Sequence, residues 1–137
     1  MPVFYADSSA LVKLIRREDE SDALRTFLSD ADLVSSELVL TEMPRAIRRA
    51  ASNDPALPLD LLIELAGHVI DTLALRSLDH VLLSGAGAIT EPALRTLDAI
   101  HVASAVDLSP IDAFVTYDNR QAAVARLAGF RTISPGV

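Results

Sequence analysis

The chain of 137 residues has no cysteine, no tryptophan and a single lysine, Lys13. Without cysteine there is no disulfide scaffold, iron–sulfur cluster, thiolate zinc site or cysteine nucleophile. Aromatic residues make up only 4% of the chain, which leaves little with which a two-carboxylate glycosidase could stack sugars. A phosphoacceptor receiver domain needs a lysine near the end of its last strand, and Lys13 lies far upstream of any such position. Long apolar runs are also missing. The longest stretch without a formal charge, His80 to Thr90, falls well short of the roughly 20 residues that cross a bilayer. No basic residue precedes Asp7, which interrupts the first apolar run, so no secretory leader is read. The expected location is the cytoplasm, with no membrane partner.

Several motifs fail by one residue. Gly85-Ala86-Gly87 has Thr90 where a dinucleotide fingerprint requires its third glycine, and no strand runs directly into it. It reads as the end of a helix. The haloacid-dehalogenase signature repeats its aspartate two residues on, where this chain has Ser9. No P-loop or HExxH pattern occurs, and His68 and His80 have no ligand-like spacing.

Hydrophobic residues form 50% of the chain, and 19 acidic against 12 basic residues give a formal net charge of −7. The apolar fraction excludes a disordered chain, and the length predicts one domain spanning residues 1–137. The acidic balance argues against a protein that coats nucleic acid through many phosphate contacts. It is compatible with an enzyme that cuts nucleic acid at a metal site.

Strand and helix signals alternate. Val3-Phe4-Tyr5-Ala6 reads as a buried strand ending at Asp7. Ser8 or Ser9 can then cap a helix carrying Leu11, Val12, Leu14 and Ile15. Helices are predicted over Ser21 to Leu28, through Arg45 to Ala50, over Leu59 to Leu65, Asp79 to Ala86, Ala93 to Asp107 and Gln121 to Ala128, the last closed by Gly129. Asn53-Asp54-Pro55 breaks the third. Leu33-Val34-Ser35, a segment within Val69 to Leu75, and Arg131-Thr132-Ile133 are predicted strands. Ala113-Phe114-Val115-Thr116-Tyr117 is the clearest strand, apolar on both faces as a central parallel strand should be. The alternation predicts an α/β domain with a parallel sheet.

Asp7 and Asp118 each end a strand, where ligand sites of open parallel sheets lie. Asp98 stands in the otherwise apolar Leu97-Asp98-Ala99-Ile100-His101-Val102-Ala103, and a carboxylate there is costly to bury unless paired or metal-bound. Glu42 stands in Val39-Leu40-Thr41-Glu42-Met43. Pro44 places the start of that helix near Thr41 to Met43, with Glu42 in its first turn. Four carboxylates converging on one place repel unless a cation joins them. All-oxygen ligation suits a hard divalent ion, Mg²⁺ or Mn²⁺. Lys13, Arg16 and Arg17, and again Arg45, Arg48 and Arg49, follow i, i+3, i+4 spacing. Both stripes are candidates for guiding phosphates. His101, three residues after Asp98, could orient that carboxylate or contact phosphate; the plainer reading is a satisfied, partly buried histidine.

Taken together, Phe4-Tyr5-Ala6-Asp7-Ser8-Ser9-Ala10-Leu11-Val12-Lys13, Thr41-Glu42, Leu97 to Ala105 and Phe114-Val115-Thr116-Tyr117-Asp118 resemble, in order and spacing, the four motifs of PIN-domain nucleases. The length is similar to that of the VapC-like toxins of toxin–antitoxin pairs. The resemblance implies a PIN-like fold with about five parallel strands in the order 3-2-1-4-5, flanked by helices. It implies a metal-dependent endoribonuclease with Asp7, Glu42, Asp98 and Asp118 as acidic site and metal ligands, and with Ser8 and Thr116 as hydroxyls orienting those carboxylates. Mg²⁺ or Mn²⁺ would activate a water for in-line attack on the phosphodiester, giving a 5′-phosphate and a 3′-hydroxyl. Implied partners are an RNA substrate, a VapB-like antitoxin and a second copy of the chain. Two alternatives stay open at this stage: a housekeeping PIN nuclease acting in RNA processing or on DNA, and a catalytically silent partner-binding module.

Overall fold

Alternating side chains on two apolar segments set the centre of the molecule. In the computed structural model, which describes residues 1–137, these segments are β1 (Val3–Ala6) and β4 (Ala113–Val115), paired in parallel with Phe4 opposite Ala113 and Tyr5 opposite Phe114. β2 (Asp32–Ser36) pairs with the other side of β1, β3 (Ala74–Arg76) with β2, and β5 (Thr132–Ile133) with β4, all parallel. The five strands run in the order 3-2-1-4-5, as expected. Seven helices connect and cover them: α1 (Ser8–Val12), α2 (Ser21–Leu28), α3 (Val39–Asn53), α4 (Leu59–Asp71), α5 (His80–Gly87), α6 (Thr96–Leu108) and α7 (Asn119–Leu127). No helix is long and apolar enough to cross a membrane.

Strand residues alternate between two cores. Phe4, Ala6, Ala113 and Val115 pack with Leu11, Leu24, Met43, Ile47 and Leu62 from α1 to α4. Tyr5, Val34 and Phe114 point the other way, against Ala105 of α6 and Ala125 of α7. Each fully buried Leu, Ile, Met or Phe contributes about 1.5–3 kcal/mol relative to exposure. A sheet covered on both faces explains why its central strands are apolar throughout rather than alternating with polar residues.

Several boundaries differ from the sequence expectation: β4 ends at Val115 rather than Tyr117, α6 starts at Thr96 rather than Ala93, and four others have a visible cause. Asp7, not Ser8 or Ser9, caps α1, its side chain accepting from Ala10 N. α1 stops at Val12, although no glycine or proline follows, because Ser21 Oγ donates to Lys13 O at 2.7 Å and accepts from Glu18 N at 2.9 Å, stabilising a turn instead. α3 starts at Val39, so Pro44 lies inside the helix while Glu42 stays in its first turn. α4 runs on to Asp71 because Val69 and Ile70 also pack on the core, which moves β3 to Ala74–Arg76.

The winding of the sheet reverses between β1 and β4. At such a switch point the loops leaving the two strand ends diverge and open a crevice. Asp7 follows β1 and Thr116 to Asp118 follow β4. Asp7 N donates to Val115 O at 3.3 Å, holding the two ends together.

Candidate active site

Asp7 is 4% exposed. Its Oδ1 accepts from Ser9 Oγ at 2.6 Å and from Ala10 N at 3.2 Å, and its Oδ2 from Thr116 Oγ1 at 2.5 Å. Thr116 Oγ1 also accepts from Asp118 N at 3.0 Å, and Ser9 Oγ accepts from Tyr117 N at 2.9 Å. The end of β4 is thereby built onto the Asp7 carboxylate. Burial pushes the Asp7 carboxyl above the usual carboxylate range, against the opposing pull of His101 and of the Ser9 and Thr116 hydroxyls. No lysine or arginine pairs with it.

Asp118 caps α7, its Oδ1 accepting from Arg120 N at 2.9 Å and Gln121 N at 3.2 Å. Asp98, half-buried, lies in the first turn of α6. Its carboxyl is raised first by burial and then by the negative charge of Asp118, against the opposing pull of the Arg95 backbone and of the Arg120 and His101 charges. Neither Asp98 nor Asp118 takes part in an ion pair with lysine or arginine. Glu42 reaches the same region from α3, with its Oε1 2.6 Å from His101 Nε2.

No three carboxylate or imidazole groups converge as a ready-made metal-holding cluster. The donor chemistry nevertheless fits a hard divalent cation. Asp7, Asp98 and Asp118 offer only carboxylate oxygens, none forms an ion pair with a lysine or arginine, and the charge of Asp118 raises the Asp98 carboxyl.

Residues 4–127 match the PIN domain family. The chain belongs to that family. Over 141 aligned residues it is 40% identical to "Ribonuclease VapC35" of Mycobacterium tuberculosis (strain ATCC 25618 / H37Rv), covering 98% of each chain. "Ribonuclease VapC47" of Mycobacterium tuberculosis (strain CDC 1551 / Oshkosh) is 35% identical over 140 residues, again with 98% of each chain covered. "Ribonuclease VapC46" of strain ATCC 25618 / H37Rv is 38% identical over 143 residues, covering 98% of this chain and 99% of that protein. Among solved structures, PAE2754 from Pyrobaculum aerophilum superposes with a TM-score of 0.67 at 18% identity, over 96% of this chain and 83% of that one. This likeness concerns the fold alone. The protein is a VapC-like PIN domain.

Within this PIN domain, three sequence expectations need correction. The hydroxyl that donates to Asp7 Oδ1 is that of Ser9, not Ser8. Asp7 is the residue before the first helical turn, and from a capping position the side chain two residues on folds back over the cap. An Asp-x-Ser spacing at a helix start was the available signal. His101 is 3% exposed and bound on both ring nitrogens, the satisfied histidine of the plainer reading, so its alternative roles of meeting RNA phosphate or orienting Asp98 fall away. Lys13, Arg16 and Arg17 do not form one helical stripe, because α1 has ended. Lys13 Nζ pairs with Glu18 at 2.6 Å and Glu20 at 3.1 Å and sits over the Tyr117 ring, while Arg17 pairs with Asp22 at 2.7 Å and Arg16 lies 3.9 Å from Glu18.

Arg45, Arg48 and Arg49 behave differently. All three are exposed on α3, opposite the buried Met43 and Ile47, and none has a carboxylate partner. The same helix thus carries Glu42 on its first turn and an unpaired basic face on the next two. A surface groove of about 590 Å³ between α5, α6 and α7 includes none of the four acids.

Proposed function

We propose that this PIN domain is a metal-dependent endoribonuclease, the toxin of a VapBC-type toxin–antitoxin pair. The observation that carries the reading is the Asp7 carboxylate, buried without a cationic partner at the switch point and caged by Ser9 and Thr116. Burying a charge in this way is costly, and a site for a cation gives that cost a use. Asp7, Asp98 and Asp118 would hold the ion, with Glu42 beside them. Bound there, Mg²⁺ or Mn²⁺ would act as a Lewis acid on the scissile phosphate and lower the pKa of the attacking water.

The remaining work falls to the chain itself. Ser9 and Thr116 donate to Asp7 and fix its two oxygens, as partners of ligating carboxylates do. Arg45, Arg48 and Arg49 form the local basic rim that meets RNA phosphates. The names of the curated relatives support RNA as substrate and a VapB-like antitoxin as partner. Val81, Val106 and Leu127 are large apolar side chains left exposed; they support association with a second copy, checked by sedimentation of the purified protein.

The deciding experiment is cleavage of a panel of structured RNAs with Mg²⁺ or Mn²⁺, then with EDTA, with Asp7→Asn alongside. Cleavage that needs the metal and is lost in Asp7→Asn supports the reading. Cleavage that survives EDTA, or that Asp7→Asn leaves intact, overturns it.

A further inference from the structure

One buried polar assembly has no part yet in the chemistry. Tyr5 is fully buried on β1 and His101 nearly so on α6. The Tyr5 hydroxyl lies 2.6 Å from His101 Nδ1, and His101 Nε2 lies 2.6 Å from Glu42 Oε1. The partners assign the protons. A carboxylate only accepts, so Nε2 carries the hydrogen; in the neutral imidazole Nδ1 then accepts from the Tyr5 hydroxyl. A proton-ordered chain runs from the core of the sheet to the acidic site, through residues 96 and 59 positions apart in sequence.

The chain ends on an acid with little support from its own helix. Asp7 and Asp118 are each fixed by the backbone amides they cap. Glu42 has no such anchor. The start of α3 has no side-chain cap, and Pro44, two residues on, removes the helical hydrogen bond it would otherwise donate. The direction of the Glu42 carboxylate is therefore set from outside its own helix.

We propose that Tyr5 and His101 are positioning residues that aim Glu42 at the acidic site, holding its Oε1 and leaving Oε2 as its open oxygen for a cation. This rests on the metal reading of the site given above. His101 is a positioning residue, not an RNA contact, and Tyr5 acts through it without approaching substrate. A histidine merely satisfied in the core would leave metal affinity alone; a histidine that aims a ligand would not.

Mn²⁺ binding to the full chain, followed by electron paramagnetic resonance, tests this without reference to cleavage. The variants are Tyr5→Phe, which deletes one oxygen from a conserved ring shape, Glu42→Gln, and the two combined. Removing a group that supports a ligand typically costs 10–100-fold in metal affinity. Tyr5→Phe is expected to weaken Mn²⁺ binding about 10-fold, and to have no further effect once Glu42 is Gln. Unchanged binding in Tyr5→Phe, or an equal loss with and without Glu42, overturns the proposal while the metal reading stands. Failure of the unmutated protein to bind Mn²⁺ at all overturns the metal reading and the proposal with it. A ¹⁵N spectrum of the unmutated protein adds a readout that needs no variant to fold: His101 is expected as the Nε2–H tautomer, and an Nδ1–H tautomer refutes the chain.

Discussion

Thr116→Val tests the cage around Asp7 most sharply, because valine keeps the shape and removes only the hydroxyl. Thr116 Oγ1 donates to Asp7 Oδ2 at 2.5 Å and accepts from Asp118 N at 3.0 Å, with a longer third contact to Ser9 Oγ at 3.3 Å. The first is charge-assisted, worth about 1.5–3 kcal/mol; the second leaves an amide without its partner, at the lower end of about 1–3 kcal/mol because the site is only part-buried. Together they predict a loss of about 2–4 kcal/mol, which at this chain length lowers the melting temperature by roughly 10 °C and leaves the protein folded. The larger part depends on the charge of Asp7. Its folded-state carboxyl already titrates above the ordinary value because it is buried, and removing a donor raises it further. The deficit is therefore full at neutral pH and shrinks as pH falls through that raised value, since a protonated Asp7 loses less when the donor goes. The assay is thermal unfolding in EDTA at pH 7.5 and pH 5, with Thr116→Ser as the control that retains the hydroxyl. Ribonuclease activity with Mn²⁺ is expected to fall about 10–100-fold in Thr116→Val and to recover largely in Thr116→Ser. A deficit of equal size at both pH values, or an equal loss in Thr116→Ser, refutes the cage.

Three further outcomes follow. Asp7→Asn is expected to raise the melting temperature in EDTA at pH 7.5, because the buried, unpaired charge is removed while an amide oxygen still accepts from Ser9 and Ala10; the raised carboxyl pKa makes the native Asp7 increasingly destabilising as pH rises through it, so the gain must fade toward pH 4.5. Replacing Arg45, Arg48 and Arg49 together by alanine is expected to weaken RNA binding and to flatten its salt dependence by about 2 in the log–log slope, three phosphate contacts at about 0.7 each on a single strand; a slope that does not move rules out the α3 face. Gly129, at φ 97° with open space around it, is expected to lose about 1–2 kcal/mol as alanine from backbone strain alone, with metal-dependent cleavage per folded molecule unchanged in a rate assay.

The strand that ends at Asp7 and the one that precedes Asp118 were legible because a sheet covered on both faces demands uninterrupted apolar runs, and a polar residue at the end of such a run stands out. What the sequence left hidden is of another kind. Ser9 stands out from Ser8 as the donor to Asp7 only once Asp7 itself is known to cap α1, because the Asp-x-Ser spacing then brings its hydroxyl back over the cap. The i, i+3, i+4 spacing of Lys13, Arg16 and Arg17 suggested one basic face, yet a serine eight residues downstream ends the helix before that face can form. His101 was judged from its neighbour Asp98, three residues away on the same helix. Its partners come instead from β1 and α3, at distances only the packing of α6 across the sheet determines.

The net charge of −7 also changes meaning once the bases are placed. Lys13, Arg16, Arg17, Arg25 and Arg76 are each engaged by a nearby carboxylate, so they add little field beyond their own surroundings. Asp7, Asp98 and Asp118 have no such partners, and neither do Arg45, Arg48 and Arg49. Arg95, Arg120, Arg126 and Arg131 also stand outside these pairs, so positive charge without a carboxylate partner lies at the starts of α6 and α7 as well as on α3, the one helix where three such bases share a face. An anionic strand is repelled by the net charge of the molecule and meets its densest row of unpaired bases along α3. That arrangement favours a few directed phosphate contacts over broad adhesion, and makes the aim of one helix decisive for both the acid it contributes and the strand it meets.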